Sequence, residues 1–105
     1  MEYRIELSSR AERDIEESFA YIHSDAPLNA VNWRRGLEAK LGLLARMPTI
    51  FGAAPENRDS SRDAKQFIYG RYRILYTVEA DVVFVLSIRH GARQFMKPDE
   101  IDEIE

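Results

Sequence analysis

Glu2 to Leu7 alternates strictly, with Tyr3, Ile5 and Leu7 on one side and Glu2, Arg4 and Glu6 on the other. A period of two is that of a strand with one buried face. Ser8-Ser9 breaks the pattern. Ser9 followed by Glu12 has capping-box spacing, in which a hydroxyl and a carboxylate serve the free amides of a helix start. Ala11, Ile15, Phe19 and Ile22 then recur at helical spacing and predict a helix from about Arg10 to Ser24. Asp25-Ala26-Pro27 ends it, and proline fits the first turn of a second helix, where its missing amide costs nothing. That helix carries Ala30, Trp33, Leu37, Leu41 and Leu44 on one stripe and Arg34, Arg35, Glu38 and Lys40 opposite, and stops at Pro48. So short a joint predicts an antiparallel helix hairpin. Gly36 and Gly42 weaken the second helix and point to close packing against the first.

Thr49 to Asp63 has little periodicity and reads as a long, exposed, mobile loop with two conspicuous apolar residues, Ile50 and Phe51. Loops this long in small domains tend to be functional. The remainder alternates again. Gln66 to Tyr69 is a short strand, and Arg71 to Val78 is a longer one with Tyr72 and Ile74 facing the helices. Glu79-Ala80-Asp81 is a tight turn, and the nearly continuous apolar run from Val82 to Ile88 is a central strand. The fold class is therefore α+β, β-α-α-β-β-β: an antiparallel four-stranded sheet in the order 1-4-3-2, with the helix hairpin on one face. The first strand is expected antiparallel to the last, and the second face is expected concave and open.

Composition narrows this picture without redirecting it. A chain of 105 residues, 45% of them hydrophobic, supports one packed domain spanning residues 1–105. Cysteine is absent, which excludes a disulfide framework and thiolate chemistry. The start of the chain lacks the apolar run of a signal peptide, and no run reaches the length of a membrane span, so a cytoplasmic location is expected. The formal charge of −3 is unevenly placed. Asp99, Glu100, Asp102, Glu103 and Glu105 crowd the last seven residues, leaving 13 acids against 15 bases in the body. Residues 99–105 read as an acidic tail that is solvated, shields a basic face or docks on a basic partner, and Pro98 to Glu105 has room for a last helical turn or two with Ile101 and Ile104 as its only apolar anchors.

The candidate chemistry is basic. His23 and His90 are the only histidines and lack carboxylates at ligand spacing, so no metal is expected. Nor is there a phosphate-cradling glycine loop, and no cofactor is expected. Arg71, Arg73, Arg89, His90 and Arg93 cluster on the C-terminal strands with Tyr69, Tyr72 and Tyr76 interleaved. Arg71 and Arg73, two apart, are expected on one strand face. Arginines near aromatic rings on an open sheet suit phosphates and bases. They equally suit an acidic protein partner, or simply a solvated face with local ion pairs.

Several stretches resemble one family. They are Ala11-Glu12-Arg13-Asp14-Ile15, Tyr21-Ile22, Ala30, Trp33, Leu37 and Met47-Pro48, then Gly70-Arg71-Tyr72-Arg73-Ile74-Leu75-Tyr76 and Val85-Leu86-Ser87-Ile88-Arg89-His90-Gly91-Ala92-Arg93. Their order and spacing resemble the RelE/ParE superfamily of type II toxin–antitoxin toxins, across nearly the whole chain. The resemblance implies a growth-inhibiting toxin, of the kind tied to plasmid stabilisation, neutralised by a cognate antitoxin. RelE-like members act as ribosome-dependent mRNA endoribonucleases, whereas ParE-like members poison DNA gyrase by binding it. Arg73 matches the arginine of the RelE-like strand motif. The paired lysines of that motif fall at Ala64 and Gln66, its next arginine falls at Gly91, and no tyrosine follows Tyr76. The resemblance thus favours the ParE-like branch, a gyrase-binding toxin rather than an enzyme. In the alternative, ribonuclease reading, His90 is the acid or base, with Arg73 and Arg93 on the phosphate. A third reading is a member that only binds its antitoxin. For antitoxin or target binding the candidates are Arg71, Arg73, Arg89, His90 and Arg93, with Ile50 and Phe51, and with Leu28 and Val31 on the second helix.

Overall fold

A computed structural model describes residues 2–56 and 62–105. The elements are β1 (Arg4–Leu7), α1 (Ser9–Asp25), α2 (Pro27–Arg46), β2 (Lys65–Tyr69), β3 (Tyr72–Glu79), β4 (Val82–His90) and a short α3 (Pro98–Asp102). Helix α1 is capped one residue earlier than the Ser9–Glu12 spacing suggests. The Ser8 hydroxyl accepts from the Ala11 amide at 2.9 Å and donates to the Leu86 carbonyl at 2.8 Å. Buried at the end of β1, Ser8 satisfies a helix start and a strand carbonyl at once.

The sheet order is β1-β4-β3-β2, as the pattern predicts, but β1 pairs with β4 in parallel, not antiparallel. The course of the helix hairpin explains this. Ser8 sits beside Leu86, and further along α1 the Asp14 carboxylate accepts from the Ile88 amide at 3.0 Å, so α1 runs onward in the direction of β4. Helix α2 then returns, and the Tyr3 amide donates to the Ala45 carbonyl at 2.8 Å. The chain is thereby brought back to where β1 began, and β2 sets off in the same direction as β1. Two antiparallel hairpins, β2–β3 and β3–β4, leave β4 parallel to β1. A parallel pair needs such a crossover, and the two helices supply it.

Both hairpin loops have two residues, Gly70–Arg71 and Ala80–Asp81, with left-handed backbone at Gly70 and Ala80. Arg71 therefore lies in a turn rather than on β3, and does not share a strand face with Arg73.

The helix-side core joins Ala11 and Ile15 of α1, Leu37 and Leu44 of α2, and Phe67, Ile74, Tyr76, Val83, Val85 and Ile88 of the sheet. Trp33 and Tyr72 pack at its margin. The second face is covered, where the sequence pattern suggests an open one. Leu75 and Leu86 are buried there beneath Ala54, Ala64, Met96, Ile101 and Ile104. Ile101 and Ile104 are three apart on and just after α3, so one side of this short turn meets the sheet while its acids face outward. Of the loop between α2 and β2, Asn57 to Ser61 lie outside the described residues, and its flanks are built in. Ala53 pairs with Lys65, and Glu56 is buried. Among the described residues no helix is long and apolar enough to cross a membrane.

Candidate functional site

The strand pairing separates the basic residues into two sets. Arg73 and Arg89 are register partners on β3 and β4 and point to the second face, where each is only 6% exposed. The Arg73 guanidinium donates to both carboxylate oxygens of Glu56, at 2.9 and 2.8 Å, and to Gln66 Oε1 at 3.2 Å. Phe95 lies over it, with the guanidinium carbon 5.1 Å from the ring centre. Glu56 also accepts from the Met96 amide at 3.1 Å. Burial alone would raise the Glu56 pKa, but the hydrogen bonds from Arg73 and Met96 outweigh it and hold the carboxyl below its ordinary range. Arg89 donates to the Gln94 carbonyl at 2.7 Å. Burial, with the charges of Arg93, Arg10 and Arg73 beside it, lowers the Arg89 pKa. These two arginines hold the C-terminal segment down, and a guanidinium with both terminal nitrogens on one carboxylate has no free fork for a phosphate.

The exposed set lies at the His90 end of the sheet. Arg71 projects from the β2–β3 turn, His90 ends β4, and Arg93 follows it, with its amide on the His90 carbonyl at 3.0 Å. His90 Nδ1 accepts from the Ala92 amide at 3.1 Å, which leaves Nε2 as the outward nitrogen. The His90 ring meets Tyr72 edge-on at 5.3 Å, Tyr72 meets Trp33 at 5.2 Å, and Trp33 meets Tyr69 at 6.4 Å. The Tyr69 hydroxyl donates to the Trp33 carbonyl at 2.8 Å. This aromatic row seams α2 to the end of the sheet. A groove of about 580 Å³ lies along it, walled by Tyr21, Asn29, Trp33, Tyr69, Arg71 and His90. Beyond Tyr72 a second groove of about 440 Å³ runs past Asp14, Glu17, Tyr21, His90 and Arg93.

The predicted set is thus only partly assembled. Arg71, His90 and Arg93 share one end of the molecule, whereas Arg73 and Arg89 are engaged beneath the C-terminal segment. Ile50 is exposed, but Phe51 packs edge-on against Phe67 at 4.3 Å, in the helix-side core. Leu28 and Val31 are exposed on α2, as is Tyr21 on α1. Sequence reasoning misses Glu56, which sits in an aperiodic loop with no pattern to single it out. It also misses Asp14, which accepts from Ser87 Oγ at 2.6 Å and locks α1 to β4. Its position beside Ile15 on the buried stripe is the available signal. Among the described residues no group of histidines and carboxylates could hold a metal ion.

The sequence matches the family described as ParE toxin of type II toxin–antitoxin system, parDE, over residues 5–95. The chain belongs to this family of toxins. Its fold is shared with several solved structures, two of which illustrate the likeness. One is the chromosomal ParDE toxin–antitoxin system from P. aeruginosa, with TM-score 0.69 and 11% identity over 84% of this chain and 95% of that one. The other is the toxin–antitoxin complex RelBE2 from Mycobacterium tuberculosis, with TM-score 0.58 and 22% identity over 86% of this chain and 99% of that one. No curated protein matches in sequence. The family match stops at Phe95, so Met96 and the α3 segment that covers the second face lie outside it.

Proposed function

We propose that this ParE-family toxin inhibits DNA gyrase by contact and is silenced in the cytoplasm by a cognate antitoxin. The bidentate Arg73–Glu56 pair carries this reading. Phosphoryl chemistry needs cations free to turn toward developing charge. The arginine that a ribonuclease of this fold would use is instead buried and committed to a carboxylate. What remains accessible, Arg71, His90, Arg93 and the aromatic row, suits recognition of a protein surface. Purified chain should block supercoiling by gyrase in a concentration-dependent way, and normal supercoiling at saturating toxin would overturn the reading.

The antitoxin follows from the family and from the solved relatives, which are themselves toxin–antitoxin assemblies. Tyr21, Leu28 and Val31 offer the hairpin's exposed apolar positions, which an amphipathic partner helix could cover. Arg71 and Arg93 at the adjoining end, with Ile50 beyond the hairpin, would meet the rest of a partner segment that folds on binding. One observation favours the ribonuclease alternative: His90 and Arg93 line the same groove. Codon-phased mRNA cuts in cells expressing the chain, abolished by His90→Ala, would establish that reading in place of the first.

A further inference from the structure

A second cluster of arginines lies away from the buried Arg73–Glu56 pair. Arg10 and Arg13 are three apart on α1 and share a face of the helix. Arg93 comes from the segment after β4 and lines a hollow of about 310 Å³ with them, floored by Asp14 and Glu17. Among the described residues neither Arg13 nor Arg93 forms an ion pair, and Arg10 reaches only Glu100, at 3.7 Å. The convergence is felt by buried Arg89, whose pKa is pushed down by burial and then by Arg93 and Arg10. This hollow adjoins the 440 Å³ groove beyond, with Asp14, Glu17 and Arg93 lining both, and the two together make an extended channel-like surface. In that groove stand Tyr21, 76% exposed, and the Tyr72–His90 ring pair. Arginines at one end and aromatic faces at the other match the alternation of phosphate and base along a single strand.

We propose that this channel binds single-stranded nucleic acid, with phosphates on Arg10, Arg13 and Arg93 and a base against Tyr21 and the Tyr72–His90 pair. Asp14 and Glu17 line the channel beside the three arginines, and Glu100, Glu103 and Glu105 share a further hollow with Arg10 and Arg13. Asp14 is held by Ser87 and the Ile88 amide. Glu17 stands on the wall shared by both hollows, where it accepts from the exocyclic amino group of a base while the phosphates lie on the arginine side. The groove volume lies in the range of sites for a small molecule or one nucleotide unit. The inference goes beyond the gyrase reading and needs neither gyrase nor an antitoxin.

Fluorescence anisotropy on the full chain tests it, with labelled oligo-dC of about ten nucleotides. A duplex of equal length and poly-glutamate serve as competitors. Oligo-dC should bind most tightly and lose about tenfold or more in affinity between about 50 and 200 mM salt. Arg13→Glu with Arg93→Glu should lower that affinity at least tenfold. Tyr21→Ala should lower it about fivefold through lost stacking, without changing poly-glutamate binding. These side chains are exposed, so an unchanged melting temperature confirms the fold of each variant. Poly-glutamate binding as tightly as oligo-dC would identify an acidic-protein surface and overturn the proposal. Tighter duplex binding, or an unaffected Tyr21→Ala variant, would overturn it as well.

Discussion

Glu56 shows how one side chain can decide what a neighbouring arginine is able to do. Arg73 on its strand looks like a cation offered to a ligand. Opposite a carboxylate with no exposed side-chain area, it is a structural tie. Removing one partner of such a pair leaves a buried charge uncompensated. Glu56→Gln should therefore cost about 3 kcal/mol or more in chemical denaturation. Replacing both partners, Glu56→Leu with Arg73→Met, should recover most of that loss, short of the acceptor that the Met96 amide loses. The pH dependence has a definite sign. The folded pKa of Glu56 lies below its ordinary 4.5, so its contribution to stability is fully present above that value. It is lost as pH falls through the lower folded pKa. Urea midpoints measured from neutral pH down through the carboxylate range should drop more steeply for the parent than for Glu56→Gln. Parallel curves would mean that Glu56 does not carry the acid sensitivity.

At the scale of elements, α2 approaches β2 so closely that a glycine is required. A Cβ on Gly36 would stand 2.1 Å from the Tyr69 hydroxyl, which is fixed on the Trp33 carbonyl. At Gly42 a Cβ would meet nothing within 4 Å. In the sequence these two glycines look alike, and both suggest packing against α1; the structure gives Gly36 to the sheet and leaves Gly42 free. The two alanine substitutions should thus have opposite signs. Gly42→Ala should stabilise by up to about 1 kcal/mol through helix propensity. Gly36→Ala should destabilise by about 1–3 kcal/mol, because Tyr69 must move and the aromatic row with it. Equal effects in urea denaturation would refute the close approach. The same contrast marks what was legible beforehand. Periodicity places every strand and both long helices to within a residue or two, because Ile15, Leu37, Ile74 and Val85 each report a buried face locally. Parallel pairing of β1 with β4 depends on where α2 ends relative to Tyr3, a long-range fact that no local pattern encodes.

For the whole molecule, the largest departure from the sequence reading is the second layer. Five acids among seven residues read as a solvated tail, and only Ile101 and Ile104 hint otherwise. Those two are buried, and they turn an apparently open basic face into a covered one. The candidate residues were therefore only partly legible: His90 and Arg93 lie where β4 runs out, Arg71 falls in the turn instead of on β3, Arg73 is withdrawn by Glu56, seventeen residues away, and Arg89 by the Gln94 carbonyl. The tail keeps an electrostatic role, on a different set of arginines. Glu100, Glu103 and Glu105 share a hollow with Arg10 and Arg13. Deleting the tail outright would strip Leu75 and Leu86 of cover and confound charge with unfolding. Glu103→Gln with Glu105→Gln removes charge alone, carrying the formal value from −3 to −1 while Ile101 and Ile104 stay in place. Exposed charges act over about 10 Å at moderate ionic strength, so unmasked arginines should hold a polyanion more firmly. The double variant should elute from heparin at higher salt than the parent, with the same melting temperature to within a few degrees. Its advantage in heparin affinity should shrink as salt rises. Elution at the parent's salt concentration would show that the tail's charges do not reach Arg10 and Arg13, leaving the segment a purely apolar cover for the sheet.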